Sequence, residues 1–129
     1  MIQKFSSGTP WEDVVGYSRA IKSGNIIEVS GTTAMRGDEL IGKDDIYAQT
    51  VCVLESIKLS LEALGATLND VVRTRMYVTD ISKWEHVAKA HQQFFGIIKP
   101  ATSMVQVTAL INPSLLIEIE ATAIINSLD

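Results

Sequence analysis

Acidic, basic and hydroxyl side chains alternate with apolar ones along three stretches of this sequence that have strand-like composition. Because successive residues of a strand point to opposite faces, each stretch gathers its polar side chains on one face. The sets are Glu118, Glu120 and Thr122; Arg73, Arg75 and Tyr77; and Glu28 and Ser30. Carboxylates and guanidinium groups on neighbouring strands can line a cleft with perturbed pKa values. They can equally form ordinary cross-strand pairs, so convergence on one pocket is what would indicate function.

The two histidines and the single cysteine do not form a recognisable catalytic motif. His91 falls on the apolar stripe of a predicted helix, which favours packing over acid–base chemistry. His86 lies off that stripe and is expected to be solvated. Cys52 sits among apolar helical residues with no cationic neighbour in sequence, which predicts a buried, inert thiol. Without nearby ligand partners we expect no zinc site, and we expect neither a metal nor a cofactor.

The elements that must position these residues follow the order ββ, α, β, α, ββ. The predicted strands span residues 17–22, 26–31, 71–78, 102–110 and 115–125, and the predicted helices follow Asp45 and Ser82. Ser23-Gly24-Asn25 is typical of a tight hairpin, Gly65 of a helix end, and Ser82 with Glu85 of a capping box. Two helices on one face of a mostly antiparallel sheet predict an α+β two-layer sandwich.

Length and composition exclude several classes of protein. The 129 residues fit one domain spanning 1–129, and 47% hydrophobic with 20% charged residues is typical of a folded globule. A net charge of -4 without basic runs argues against a nucleic-acid partner. No apolar stretch approaches the roughly 20 residues that span a bilayer, and no signal core is seen. We therefore expect a cytoplasmic protein that contacts no membrane.

Ordered motifs from residue 14 to 125 make the chain resemble the YjgF/RidA (reactive intermediate deaminase) family. They are Gly16-Tyr17-Ser18, Val29-Ser30-Gly31, Asp45 with Gln49, Gly65 to Val72, Tyr77 to Asp80, Phe94-Phe95, Pro100-Ala101 and Ile117 to Ala121. The resemblance implies a chorismate-mutase-like fold and a homotrimer with ligand clefts between subunits. A sheet face left open by the two helices also favours self-association.

The resemblance further implies a site and a reaction. Family members hydrolyse enamine or imine acids such as 2-aminoacrylate, and Tyr17, Ser30 and Glu120 keep the family's residue types. Three other positions differ. Thr102 replaces the arginine that binds the substrate carboxylate, Met104 replaces a cysteine, and Ala88 replaces an asparagine. Thr102 cannot supply a bidentate guanidinium, which argues against 2-aminoacrylate deamination.

Three functions remain open on the sequence. The first is a cofactor-free hydrolase for a small imine, in which Glu120 orients water and Tyr17 and Ser30 contact the substrate. In that function Arg75, with Arg73 and Arg19 as further candidates, would replace the absent arginine; salt bridges to Glu118 or Glu120 would explain the same arginines. The second is a non-catalytic trimer that binds a small metabolite. The third is an endoribonuclease or translation inhibitor, for which the acidic chain lacks a basic patch and stacking platform.

Overall fold

The structure is a computed structural model in which residues 1–126 are described. Its six-stranded sheet has the order β1-β2-β3-β8-β6-β7, with a separate two-stranded ribbon, β4-β5. The strands are β1 Ile2–Phe5, β2 Ala20–Ser23, β3 Ile26–Thr32, β4 Met35–Arg36, β5 Glu39–Leu40, β6 Val71–Val78, β7 Ala101–Gln106 and β8 Ile117–Ile124. The helices are α1 Pro10–Val15, α2 Ile46–Ala63 and α3 Trp84–Phe95. Every pairing is antiparallel except β6 with β7, which is parallel.

Alternation along the central strands separates the two faces of the sheet. On β8, Ile117, Ile119, Ala121 and Ala123 are buried, whereas Glu118, Glu120 and Thr122 are half-buried on the opposite face. The buried face packs with α2 and α3 into one core. The predicted α+β sandwich is confirmed, as are the shared faces of the acidic and arginine sets.

The ends of α2 follow the sequence signals. Asp45 is the N-cap, and its side chain accepts a hydrogen bond from the backbone N–H of Ala48 at 3.0 Å. Gly65, just past the helix, has a φ of 85°, a left-handed conformation that glycine adopts without strain. Gly24 has a φ of 62° in the predicted hairpin turn between β2 and β3.

Other predicted details were wrong. The cap before α3 is Asp80, whose carboxylate accepts hydrogen bonds from Ser82 N–H and Oγ; the expected pairing of Ser82 with Glu85 does not form. A 3₁₀ turn over Ile81–Lys83 shifts the α-helix start to Trp84, which moves Ser82 out of the N-cap position. Strand β1, helix α1 and the β4-β5 ribbon were not anticipated, because each is short and none has a strong apolar period.

The buried amide of Gln49 fixes the start of β8 and so the position of its carboxylates. Its Nε2 donates to the carbonyls of Gly42 and Ser114, at 3.2 and 3.0 Å, and its Oε1 accepts from Leu116 N–H at 2.9 Å. Gln49 is fully buried, so the loss of these bonds would leave polar groups without water. Helix α2 thereby holds the chain immediately before Ile117.

Among residues 1–126, none of the helices has both the length and the apolar character required to cross a bilayer.

Candidate functional site

Glu120 lies at the centre of the sheet face that the helices leave open. Strand β6 places Arg75 directly opposite it in register, and Tyr77 Oη donates to Glu120 Oε1 at 2.8 Å. This bond, followed by burial, raises the pKa of Tyr77, so the phenol stays protonated as a donor. All three residues are half-buried. One carboxylate oxygen is therefore fixed by the phenol while the other is left for a further partner.

A bulge in β3 faces the same carboxylate. Val29 pairs with Ala121 and Thr32 pairs with Ile119, so Ser30 and Gly31 together oppose the single residue between those partners, Glu120. The bulge bends the strand where the predicted site residue Ser30 lies. It also brings Gly31 close to Glu118: a Cβ on Gly31 would lie 2.5 Å from Glu118 Oε2, so a larger residue here would have to displace the Glu118 carboxylate.

Arg19 supports this bulge and introduces a positive charge beside the acidic pair. Its Nη2 donates to the carbonyl of Gly31, and its guanidinium lies 5.5 Å from the ring centroid of Tyr17. Burial, reinforced by the charge of Glu120, raises the pKa of Glu118, while the charge of Arg19 acts in the opposite direction. Glu118 is therefore a carboxyl group that holds its proton to a higher pH than an exposed glutamate.

Tyr17 and Ser30 line a common surface cleft of about 560 Å³. The Ser30 hydroxyl donates to the carbonyl of Ser18 at 2.7 Å, which holds it at the cleft wall. Lys4, Glu12 and Asp13 also line the cleft. The structure thus brings Tyr17 and Ser30 together, with Glu120 behind Ser30 across the bulge; the catalytic roles of all three stay predictions.

Three other predicted residues, Thr102, Met104 and Ala88, lie on the helix side of the sheet. In the parallel β6-β7 pairing Thr102 is opposite Thr74 and Met104 opposite Met76. Thr74 and Met76 are buried on the helix face, so the side chains of Thr102 and Met104 belong to that face at the sheet edge. Ala88 is half-buried in α3. We call Thr102, Met104 and Ala88 the edge set. Within one chain, the sheet separates this set from Glu120.

The three candidate arginines have different surroundings. Arg73 Nη2 donates to Ser103 Oγ at 2.9 Å, on the open face. The side chain of Arg75 makes no hydrogen bond or ion pair within residues 1–126, where the ion pair found is Arg36 with Glu55 at 2.9 Å. The salt bridges considered from the sequence, to Glu118 or Glu120, do not form in that part of the chain. Arg75 is left with an unused guanidinium beside Glu120.

His91 has a polar partner that sequence reasoning missed. Its ring packs on Phe95 with centroids 4.7 Å apart, as the apolar stripe predicted, but its Nε2 also lies 3.0 Å from Thr74 Oγ1. Burial lowers the pKa of His91. Only the packing of α3 on β6 reveals this contact, because no local motif links Thr74 to a histidine 17 residues away.

Tyr77 was a second omission from the predicted site. Its place on the face of Arg75 was visible from alternation, but its bond to Glu120 depends on which strands are neighbours. Cys52 is buried, as expected, and burial raises the pKa of its thiol. Within residues 1–126 no three histidine, cysteine, aspartate or glutamate side chains are grouped so that they could bind a metal ion.

Comparisons with known proteins show that this chain is similar to members of one family in both sequence and structure. The model of the family described as Endoribonuclease L-PSP matches residues 10–125. The crystal structure of Rv2704 from Mycobacterium tuberculosis, a member of the YjgF/YER057c/UK114 family, has a TM-score of 0.90 and 52% identity, covering 97% of this chain and 100% of that chain.

Two curated relatives carry names from the RutC group. RutC family protein PH0854 of Pyrococcus horikoshii is 40% identical over 109 residues, which cover 83% of this chain and 85% of the relative. The 3-aminoacrylate deaminase RutC of Acinetobacter baylyi is 33% identical over 117 residues, which cover 90% and 91% of the two chains.

Proposed function

The chain belongs to the endoribonuclease L-PSP, or YjgF/RidA, family, and from this premise we propose that it hydrolyses a small enamine or imine to a carbonyl compound and ammonia, without a cofactor. The observation that carries the proposal is the fixed carboxylate of Glu120, bonded by Tyr77 and faced by the Ser30–Gly31 bulge. A relative named as a 3-aminoacrylate deaminase supports the same class of reaction.

Glu120 supplies the base in this reaction. Tyr77 occupies one carboxylate oxygen, and the other oxygen accepts a proton from water as the water oxygen bonds to the imine carbon. The imine nitrogen is protonated, giving a carbinolamine. Glu120 then gives the proton it took from water to the amine nitrogen, the C–N bond breaks with its electron pair leaving on ammonia, and the hydroxyl passes its proton to the ionised Glu118 as the carbonyl forms. Each turnover consumes one water and one imine and returns the proton balance to zero.

Glu118 is suited to supply the proton to nitrogen. Its raised pKa, caused mainly by burial, increases the fraction of the group that is protonated near neutrality. Glu118 and Glu120 then have separate roles, one as acid and one as base, although both lie on the same strand. Tyr17 and Ser30 contact the substrate from the cleft wall, and the unused guanidinium of Arg75 stabilises negative charge that develops beside Glu120.

The complete cleft takes its two halves from neighbouring subunits of a homotrimer. The edge set of Thr102, Met104 and Ala88 lies on the helix side of the sheet, whereas Glu120 lies on the open side. One chain cannot bring these sets together, but a neighbour that packs its β7 edge against the open face can. This assembly also covers the half-buried polar face of the sheet.

The test is release of carbonyl product from freshly generated imines. Purified protein is mixed with imino acids and their uncharged amide counterparts, formed in situ by an amino-acid oxidase, and ketone and ammonia are both measured. The wild type is expected to accelerate release, and Glu120→Gln to lower kcat by about 100-fold or more. Glu28→Gln is the matched control, since Glu28 lies on the same sheet face but is exposed and accepts from Thr122.

Other outcomes would overturn the proposal in defined ways. No acceleration with any imine, together with stabilisation by a small metabolite in a thermal-shift screen, would identify a non-catalytic binding trimer. Cleavage of RNA that is lost in Glu120→Gln would identify the endoribonuclease function named for the family. RNA cleavage that survives in this variant would come from a contaminating nuclease. The proposed function would then be judged from imine hydrolysis alone.

A further inference from the structure

A chain of three hydrogen-bonding side chains runs from the surface at β7 into the protein. Thr74 Oγ1 lies 2.7 Å from Thr102 Oγ1 and 3.0 Å from His91 Nε2. Thr102 is exposed, Thr74 is completely buried, and His91 is half-buried against Phe95. Three separate elements, β7, β6 and α3, each contribute one member. The hydroxyl of Thr102 is therefore the solvent-exposed end of this hydrogen-bonded chain, which we call the relay.

The number of hydroxyl and imidazole protons determines whether Thr102 donates or accepts a hydrogen bond at the surface. The Thr74 hydroxyl has one proton and two polar neighbours, so one of its two bonds must be donated by the neighbour. If His91 donates from Nε2, Thr74 donates to Thr102, and the Thr102 proton is free for a ligand acceptor. If His91 accepts at Nε2, Thr102 donates inward and its lone pairs are free for a ligand donor. The relay adapts to either group without a change in net charge.

The electrostatics around Thr102 favour an uncharged ligand group. Burial lowers the pKa of His91, so the imidazole is neutral near pH 7. The two arginines that flank Thr74 in register both lie on the opposite face of the sheet, where Arg73 is bound to Ser103 and Arg75 lies beside Glu120. A carboxylate placed against Thr102 would lose solvation, and neither of these arginines lies on the Thr102 side of the sheet in the same chain to compensate.

We infer that Thr102, Thr74 and His91 form a specificity subsite that binds an uncharged hydrogen-bonding group of the substrate, such as an amide, hydroxyl or carbonyl oxygen. This inference rests on the proposed function for the reacting end of the substrate and adds the chemistry of its other end. Thr102 touches the ligand, while Thr74 and His91 are positioning residues that act through it. The substrate class is then neutral imines rather than imino acids.

The experiment compares pyruvamide with pyruvate, two product analogues of similar shape that differ in charge. Binding is followed through the ring-nitrogen signals of His91 by NMR, which are readily assigned because the chain has two histidines and His86→Asn removes the other signal. Pyruvamide is expected to shift the His91 signals and to bind about 10-fold more tightly than pyruvate. Thr102→Val is expected to abolish the shift and reduce pyruvamide affinity roughly 10-fold, leaving pyruvate affinity unchanged. Thr108→Val, at an exposed threonine just beyond β7, is the control.

The outcomes separate this inference from the proposed reaction. Equal or tighter binding of pyruvate, or a His91 shift that persists in Thr102→Val, would overturn the neutral subsite even if imines are hydrolysed. A selective response to pyruvamide without hydrolysis of any imine would support the subsite and refute the reaction. Thr74→Val provides a second variant: it should uncouple His91 from the ligand while the exposed Thr102 remains in place.

Discussion

At the residue scale, the chemistry that Glu120 can carry out depends on the side chains around its carboxylate more than on its position in the sequence. Tyr77 donates to one oxygen, the side chain of Arg75 opposite it in register has no hydrogen bond or ion pair in residues 1–126, and Glu118 lies two residues away on the same face. A water held by the second oxygen would lie against a positive and a protonatable group. This arrangement suits addition of water to a C=N bond.

Removal of the Tyr77 hydroxyl should affect turnover more than folding. In Tyr77→Phe the carboxylate loses its donor and rotates more freely, so kcat is expected to fall about 10-fold, with a loss of unfolding free energy of about 1 kcal/mol or less. Initial rates and denaturant melts measure the two effects. Tyr47→Phe is the control, because Tyr47 donates a similar 2.8 Å bond to Gln93 outside the site. Equal rates in the two variants would remove Tyr77 from the mechanism.

The raised pKa of Glu118 predicts a pH dependence of stability. The folded state holds this proton more tightly than the unfolded state, whose glutamate titrates near 4.5. Its contribution is therefore fully present below that value and is lost as the pH rises through the folded pKa. Glu118→Gln should remove this dependence, so the stability of the variant relative to wild type should rise across that window.

Urea denaturation of Glu118→Gln and wild type at a series of pH values checks the sign. Glu85→Gln, exposed in the first turn of α3, is the control and should follow the wild-type profile. A relative stability of Glu118→Gln that falls as the pH rises would contradict the assigned burial effect.

At the element scale, the β3 bulge joins the cleft to the carboxylates. Gly31→Ala is expected to cost about 1 kcal/mol of unfolding free energy, because the new methyl group displaces the end of the flexible Glu118 side chain and not backbone. The same substitution in a Glu118→Ala background should cost much less, since the colliding atoms are gone. Thermal and denaturant unfolding of the four proteins completes this double-mutant cycle. Equal costs in both backgrounds would show that the collision is not the cause.

The elements were predictable to different degrees, for physical reasons. Alternation fixed which face of β8 carries Glu118 and Glu120, since a strand has only two faces. The contact of His91 with Thr74 depends on how helix α3 packs on strand β6, and no local spacing encodes that packing. The split between Glu120 and Thr102 likewise follows from the parallel pairing of β6 with β7. The start of α3 was misjudged because Asp80 competes successfully with Ser82 as the cap.

At the scale of the whole molecule, the proposed cleft requires a trimer. Light scattering with size-exclusion chromatography is expected to give a mass about three times that of the chain. A charge introduced on the open face, Thr122→Arg, should weaken the assembly, whereas Gln3→Arg on edge strand β1 should not. A monomeric mass for the wild type under the assay conditions would contradict a cleft built from two chains.

The central claim is that each site combines Glu120 of one chain with Thr102 of a neighbour, and mixed oligomers test it most directly. Glu120→Gln destroys one half of every cleft, and Thr102→Trp blocks the other half with a bulky ring. Each variant alone is expected to be inactive towards the imine substrate. Random mixing in equal amounts gives intact clefts at one interface in four, so co-assembled variants should recover about one quarter of wild-type activity. A mixture that co-assembles but stays inactive would show that both residues act within a single chain, and the account would be wrong.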